Sequence, residues 1–199
     1  MDNIKLVVIG DGAVGKTSLL ETCVTKKYPK QYIPTVFENY PDFIFQYKDK
    51  KYKMNIFDTA GGEDYYMLRP LIYPNTDVFL LCYSIDNPRS FENVKSYWLP
   101  ELKRYEPEVP IFLVATKIDL LETNDKDSEI ITTEQGHKMA EEIGALDFIE
   151  VSALNGTNVD DVFGHVVEIN EAHKKNMKAS NNGQCCIYLV PLLLFDLFY

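Results

Sequence analysis

At 199 residues the chain is most simply one domain, with room for a full core. Its apolar share of 46% and charged share of 25% are those of soluble globular proteins. A net charge of −10 with no evident basic face argues against a nucleic-acid binder but not against a nucleotide site, since distant carboxylates are screened beyond about 8 Å at physiological salt.

The first apolar run, Ile4–Ile9, reads as a buried strand, and Lys16–Cys23 as a helix. Between them stands Gly10-Asp-Gly-Ala-Val-Gly-Lys-Thr17, the GxxxxGK[ST] spacing of a P-loop in its required strand-to-helix context. Gly10, Gly12 and Gly15 are expected to let successive N–H groups turn toward one anion. The helix N-terminus adds unsatisfied donors and partial positive charge. Lys16 would supply a mobile cation for β- and γ-phosphates, and Thr17 a hydroxyl for Mg²⁺.

Phe43–Tyr47 and Tyr52–Phe57 flank the turn-like Asp49-Lys50 and predict a hairpin. Val78–Tyr83, Ile111–Ala115 and Phe148–Val151 have the look of buried strands. Helices are predicted over Ser90–Tyr105, Thr133–Ile143 and Val159–Met177, the last with Val159, Val162, Phe163, Val166 and Val167 on one face. Thr132 or Thr133 can cap the helix before it, with Gly144 near its end. The alternation predicts an α/β fold: a six-stranded, mostly parallel sheet with one antiparallel edge strand and helices on both faces. Cys23 and Cys82 read as small core residues, and the cysteines at 23, 82, 185 and 186 have no zinc spacing. With no signal peptide opening the chain, a reducing, cytosolic setting is expected.

In such sheets ligands bind beyond the carboxyl ends of the strands, and the remaining motifs follow strands. Asp58-Thr-Ala-Gly61 comes after the third, where Asp58 is the expected outer-sphere partner of Mg²⁺ and the Gly61 N–H meets the γ-phosphate. Thr116-Lys117-Ile-Asp119 comes after the fifth. The Asp119 carboxylate can accept hydrogen bonds from guanine N1–H and N2–H₂; adenine lacks both, and such pairing can discriminate by ~10⁴. After the last strand, Ser152-Ala153-Leu154 offers a backbone N–H for guanine O6.

With these motifs the chain resembles a Ras-superfamily small GTPase, and more narrowly the Rho/Rac family. Tyr32-Ile-Pro-Thr35-Val-Phe-Glu-Asn-Tyr40, Leu68-Arg-Pro-Leu71 and Ser90-Phe-Glu-Asn-Val94 extend the similarity over roughly residues 4–175. The resemblance implies a small-GTPase domain over residues 1–176 and a tail over 177–199. It implies binding of GTP or GDP with Mg²⁺, the metal held by Thr17, Thr35 and Asp58. Lys16, Thr35 and Gly61 would serve the γ-phosphate during hydrolysis. Gly12, Ala13, Val14, Gly15 and Ser18 would line the phosphates, Tyr32 would close over them, and Pro34 would lie beside them. Tyr28 would stack on guanine, where the family usually has Phe, with Thr116, Lys117, Leu120, Ala153 and Leu154 completing the base pocket. Loss of the γ-phosphate would release Thr35 and Gly61 and let both loops relax. Residues 32–40 and 61–73 would meet exchange factors, GTPase-activating proteins and effectors, cytoskeletal ones among them. A monomer peripheral to the inner face of a membrane is expected.

The sequence departs from the family pattern in three places. Gly62 stands where the family usually has the Gln that orients the attacking water. Glu63, the nearest substitute, is disfavoured by the charge of the γ-phosphate. Hydrolysis is expected to be slower by one to several decades, each worth ~1.4 kcal/mol, with a weak response to an arginine finger. That another group positions the water stays open, as does a GTP-locked, non-cycling scaffold; an ATP-using P-loop kinase is disfavoured by Thr116–Asp119. Tyr66 and Met67 replace a usual Asp-Arg pair, and Leu121–Ile131 is short of the usual Rho insertion, with no extra helix expected. Finally, Cys185-Cys186-Ile-Tyr188 resembles a prenylation box but runs on through Leu189–Tyr199. That run is shorter than the ~20 residues of a spanning helix and is broken by Pro191 and Asp196. It could lie in a membrane interface, aided by palmitoyl groups and Lys174, Lys175 and Lys178; it could overrun a Cys-a-a-X stop; or it could fold back on the domain.

Overall fold

Alternate residues of β1 (Asp2–Gly10) feed two cores, Ile4, Leu6 and Val8 on one face of the sheet and Val7 and Ile9 on the other. The structure is a computed structural model in which residues 1–29, 35, 37–62, 65–122 and 129–181 are described. β1 pairs in parallel with β3 (Lys50–Thr59) on one side and β4 (Val78–Ser84) on the other. β5 (Ile111–Thr116) and β6 (Asp147–Glu150) continue the parallel order, and β2 (Phe37–Tyr47) closes the far edge antiparallel to β3. The strand order is β2-β3-β1-β4-β5-β6, the six-stranded mostly parallel sheet expected. Every residue of β4 and β5 is buried, as continuous apolar runs in a doubly covered sheet require.

The first core is covered by α1 (Lys16–Thr25) and α5 (Val162–Asn181), through Leu19, Leu20, Phe163, Val166 and Val167. The second is covered by α4 (Thr133–Ile143), through Met139 and Ile143, and by α2 (Pro88–Asn93), α3 (Leu99–Tyr105) and the segment between them, through Val94, Trp98 and Leu102. Each such fully buried side chain contributes about 1.5–3 kcal/mol.

Three boundaries differ from the sequence reading. β2 starts at Phe37 rather than Phe43: Pro41 and a register shift between Tyr40 and Phe43 interrupt its pattern, which an edge strand tolerates. The Ser90–Tyr105 helix is split, because Pro100 has no N–H to continue the i→i−4 ladder. Val94–Trp98 instead form a π turn, with the Leu99 N–H donating to the Val94 carbonyl. α5 begins at Val162, not Val159, since Gly156 (φ +83°) and Asn158 (φ +56°) bend the chain left-handed. Val159 is buried all the same.

Thr132 proves to be the cap of α4, in a reciprocal capping box with Gln135, and Gly144 ends that helix left-handed at φ +67°. Burial pushes the thiols of Cys23 and Cys82 up to about 12, as suits core residues. α5 continues to Asn181, past the boundary expected at residue 176. Among the described residues no helix is long and apolar enough to cross a membrane. Tyr32, Pro34, Glu63, most of Leu121–Ile131, Cys185–Tyr188 and Leu189–Tyr199 lie outside the described residues.

Candidate functional site

Because β1, β3, β4, β5 and β6 all run the same way, their carboxyl ends share one edge, and the motifs meet there. After β1 the chain turns at Gly10 (φ +135°), where a Cβ would lie 2.2 Å from the Cys82 carbonyl oxygen. Ala13 (φ +61°) and Gly15 (φ +97°) are left-handed and re-aim successive N–H groups into a concave loop. Gly12 departs from expectation: its φ is not left-handed, and among the described residues a Cβ there would meet nothing within 4 Å. The helical entry at Gly15 has no side-chain cap and no acidic residue in the first turn, so α1 presents bare N–H donors. Val14 is buried beneath the loop, and Thr17 and Ser18 are half-buried in the first turn.

The Lys16 ammonium donates to the carbonyls of Gly10 (2.8 Å) and Asp11 (2.7 Å), which engage two of its three N–H groups. Burial pulls its pKa below the ordinary value, while Asp58 opposes the fall. The Thr17 hydroxyl donates to Asp58 Oδ2 at 2.5 Å and lies 2.6 Å from the Thr35 hydroxyl. Asp58 is wholly buried, and its Oδ1 has no partner among the described residues. Burial lifts its carboxyl to about 6, against the Thr17 hydrogen bond and the Lys16 charge. Two hydroxyls and a buried carboxylate with an orphaned oxygen make a hard-oxygen donor set, the kind that fits Mg²⁺ shared with phosphate oxygens.

Gly61 packs directly on this loop: a Cβ would lie 2.2 Å from Asp11 C and Gly12 N. At the other end, the Thr116 hydroxyl reaches both Val14 O (2.5 Å) and Tyr83 O (2.9 Å). Lys117 adopts φ +63° and its ammonium reaches Asp86 at 3.2 Å. Although partial burial opposes it, the Ser84 hydroxyl and Lys117 hold the Asp86 carboxyl below its usual range. The buried Ser152 hydroxyl donates to Asp119. Leu120 is half-buried, Ala153 half-buried, and Leu154 and Tyr28 are exposed at the rim.

The structure thus brings Lys16, Thr17, Thr35, Asp58 and Gly61 into one cluster and Thr116, Lys117, Asp119 and Ser152 into a second beside it. Sequence reasoning missed Asp86, Asp11, Arg69, Trp98 and Glu101, which support these clusters from behind. Among them the lone Trp of the chain, just before Leu-Pro, carried the only local signal.

A sequence model of the Ras family matches residues 5–172. The chain is 45% identical to the Ras-like GTP-binding protein RhoL of Drosophila melanogaster over 184 residues, 92% of this chain and 94% of that protein. Ras-family proteins bind GTP and GDP and are generally GTPases. A glycine-bearing loop, a carboxylate–hydroxyl cluster and an acidic loop on one sheet edge accord with that match, and the chain belongs to the Ras family of small GTPases.

Proposed function

We propose that this chain is a Rho-type molecular switch that binds GTP or GDP with Mg²⁺, cleaves GTP slowly and recruits effectors in the GTP state. The observation that carries the reading is the chain of contacts from the Thr35 hydroxyl to the Thr17 hydroxyl and from Thr17 to Asp58, beside Lys16. Thr17 belongs to α1 and Thr35 to the segment before β2, so a ligand bridging them ties residues 32–40 to the phosphate loop. Thr17, Thr35 and Asp58 would hold Mg²⁺, which would supply Lewis-acid neutralisation of the phosphate oxygens.

The chain's own groups do the rest. Lys16, fixed by two carbonyls, turns its remaining N–H to the charge that builds on the γ-phosphoryl oxygens as water attacks. The N–H groups of Thr35 and Gly61 donate to the same oxygens. Asp119 reads the guanine edge while Lys117, Leu120, Ala153 and Leu154 line the base, and Tyr28 stacks on it. Ala13, Val14, Gly15 and Ser18 hold the remaining phosphate oxygens. Effectors, exchange factors and GTPase-activating proteins meet residues 32–40 and 61–73, where Phe37, Met67 and Leu71 are exposed. The nucleotide domain covers residues 1–176, and the 177–199 tail attaches it to the inner face of a membrane.

Calorimetric titration of GDP and GTP, with and without Mg²⁺ and with ATP in competition, tests this. Mg²⁺-dependent binding of both guanine nucleotides is expected, with ATP weaker by about 10⁴. Absence of that affinity overturns the reading. The bare backbone at Gly62 favours one alternative, a GTP-locked scaffold. Nucleotide extracted from the protein in its own cells separates the two: mostly GTP marks the scaffold, mostly GDP the cycling switch.

A further inference from the structure

Asp11 is held on three sides. Its carbonyl accepts from Lys16 Nζ, and its backbone touches Gly61 so closely that no side chain fits between. Its carboxylate accepts from Trp98 Nε1 at Oδ1 (2.7 Å) and from Asn93 Nδ2 at Oδ2 (2.7 Å). Trp98, 1% exposed, is delivered to this position by the π turn that Pro100 enforces.

The face of the same indole carries a second partner. The Arg69 guanidinium carbon lies 4.7 Å from its ring centroid. Arg69 is itself 2% exposed, donates to Glu101 through Nε (3.1 Å) and Nη2 (2.9 Å), and reaches the Tyr97 hydroxyl at 2.8 Å. Its Nη1 donates to the Gly62 carbonyl at 2.9 Å. Since residue 62 has no side chain, that carbonyl is the handle by which the protein holds it. The indole therefore stands between the phosphate loop and residues 61–62, with its edge on one and its face toward the other.

We propose that Trp98 and Arg69 are positioning residues for GTP turnover: they couple residues 61–62 to Asp11, so that changes at one loop alter the hold of the other on nucleotide. This rests on the switch reading above. On nucleotide release Arg69 acts through Trp98, and Trp98 through Asp11, while on residue 62 Arg69 acts directly through the Gly62 carbonyl; neither needs to touch nucleotide.

The test is a double-mutant cycle read by release of fluorescently labelled GDP, with thermal melts of every variant. Arg69→Lys keeps the charge but cannot span Glu101 and Gly62 O together. Trp98→Phe keeps an aromatic face but loses the donor to Asp11. Each alone is expected to speed GDP release by about fivefold to tenfold, Asn93 limiting the loss. In the Trp98→Phe background, Arg69→Lys should add nothing to release, although it still slows GTP cleavage in single turnover. Additive effects on release, or release unchanged by Trp98→Phe, overturn the coupling. Should Trp98→Phe not fold, the lone tryptophan of the intact chain reports directly. Its emission should differ between GDP and a non-hydrolysable GTP analogue, and Arg69→Lys should abolish the difference. Equal emission in both states overturns the proposal. Failure of the unmodified protein to bind guanine nucleotide would instead sink the switch reading.

Discussion

The Ser152 hydroxyl donates a 2.5 Å hydrogen bond to the Asp119 carboxylate while accepting one from the Asn155 N–H at 3.3 Å. It thus fixes the rotamer of the carboxylate proposed to read guanine. Removing it in Ser152→Ala should cost GDP about tenfold in affinity, a fraction of a charged hydrogen bond because water replaces it. Asp119→Asn should cost ~10³ or more, since an amide offers guanine a donor where an acceptor is needed. Calorimetry of the two variants checks both; full affinity in either means that this loop does not read the base.

Gly62 can accept a side chain: its φ is ordinary, and among the described residues a Cβ would meet only the Tyr65 ring at 3.7 Å. Gly62→Gln should therefore fold normally and accelerate single-turnover GTP cleavage by at least about tenfold, equivalent to ~1.4 kcal/mol of barrier. Equal rates would show that another group already positions the water.

Gly61 cannot. Its Cβ would strike the backbone of Asp11 and Gly12, which has no way to yield. Gly61→Ala should force residues 61–73 off the phosphate loop. GTP cleavage should fall by about a hundredfold or more, the loss of one preorganised donor, while GDP affinity falls by no more than the about fivefold to tenfold that uncoupling residues 61–62 from Asp11 implies. A parallel fall in GDP affinity would contradict that division of labour.

Glu101 and Arg69 form a buried pair, 5% and 2% exposed at the side chain, and the Tyr73 hydroxyl donates to Glu101 as well. Glu101→Ala leaves a buried guanidinium uncompensated, at about 3–5 kcal/mol. The melting temperature should drop by about 6–20 °C for a domain of this size. A drop within a degree or two would mean that the arginine finds water.

Asp147, 2.5 Å from His165 Nδ1, raises His165 above its ordinary 6.5 by hydrogen bonding; partial burial opposes this, and Glu168 and Asp161 add to it. The ring also stacks on Phe112 at 5.6 Å. A raised folded pKa means that the pair's stabilisation is complete below about pH 6.5 and disappears as pH climbs through the raised value. The stability gap between the unmodified chain and His165→Asn should therefore be widest near pH 6 and narrow on the alkaline side. Melts across that range check it; a gap that widens with pH has the wrong sign.

The sheet was readable because β4 and β5 are continuous buried runs and the apolar stretch of β1 from Ile4 to Ile9 is interrupted only by Lys5. The P-loop was readable because its chemistry is contiguous. The half of β2 before Pro41 was hidden, since an edge strand needs no apolar alternation. The π turn was hidden too, because a lone proline in a helical pattern does not announce how the ladder will reroute. Asp11, Arg69 and Trp98 lie far apart along the chain, and only packing brings them together. The glycine pattern misled at one point: Gly12 reads like Gly10 and Gly15, yet its backbone is ordinary, and Ala13 takes the left-handed turn.

The Thr116 hydroxyl, within reach of both the Val14 and Tyr83 carbonyls, stitches the loop proposed to hold the base to the loop proposed to hold the phosphates. A single proton is shared between two acceptors, so moving it wholly onto the Tyr83 carbonyl of β4 lets go of Val14 and undoes the stitch. A catalyst of nucleotide exchange then needs to grip only one end of the ligand. Prising the phosphate side would slacken the purine side through this one oxygen, and escape would proceed as a peeling rather than a simultaneous rupture.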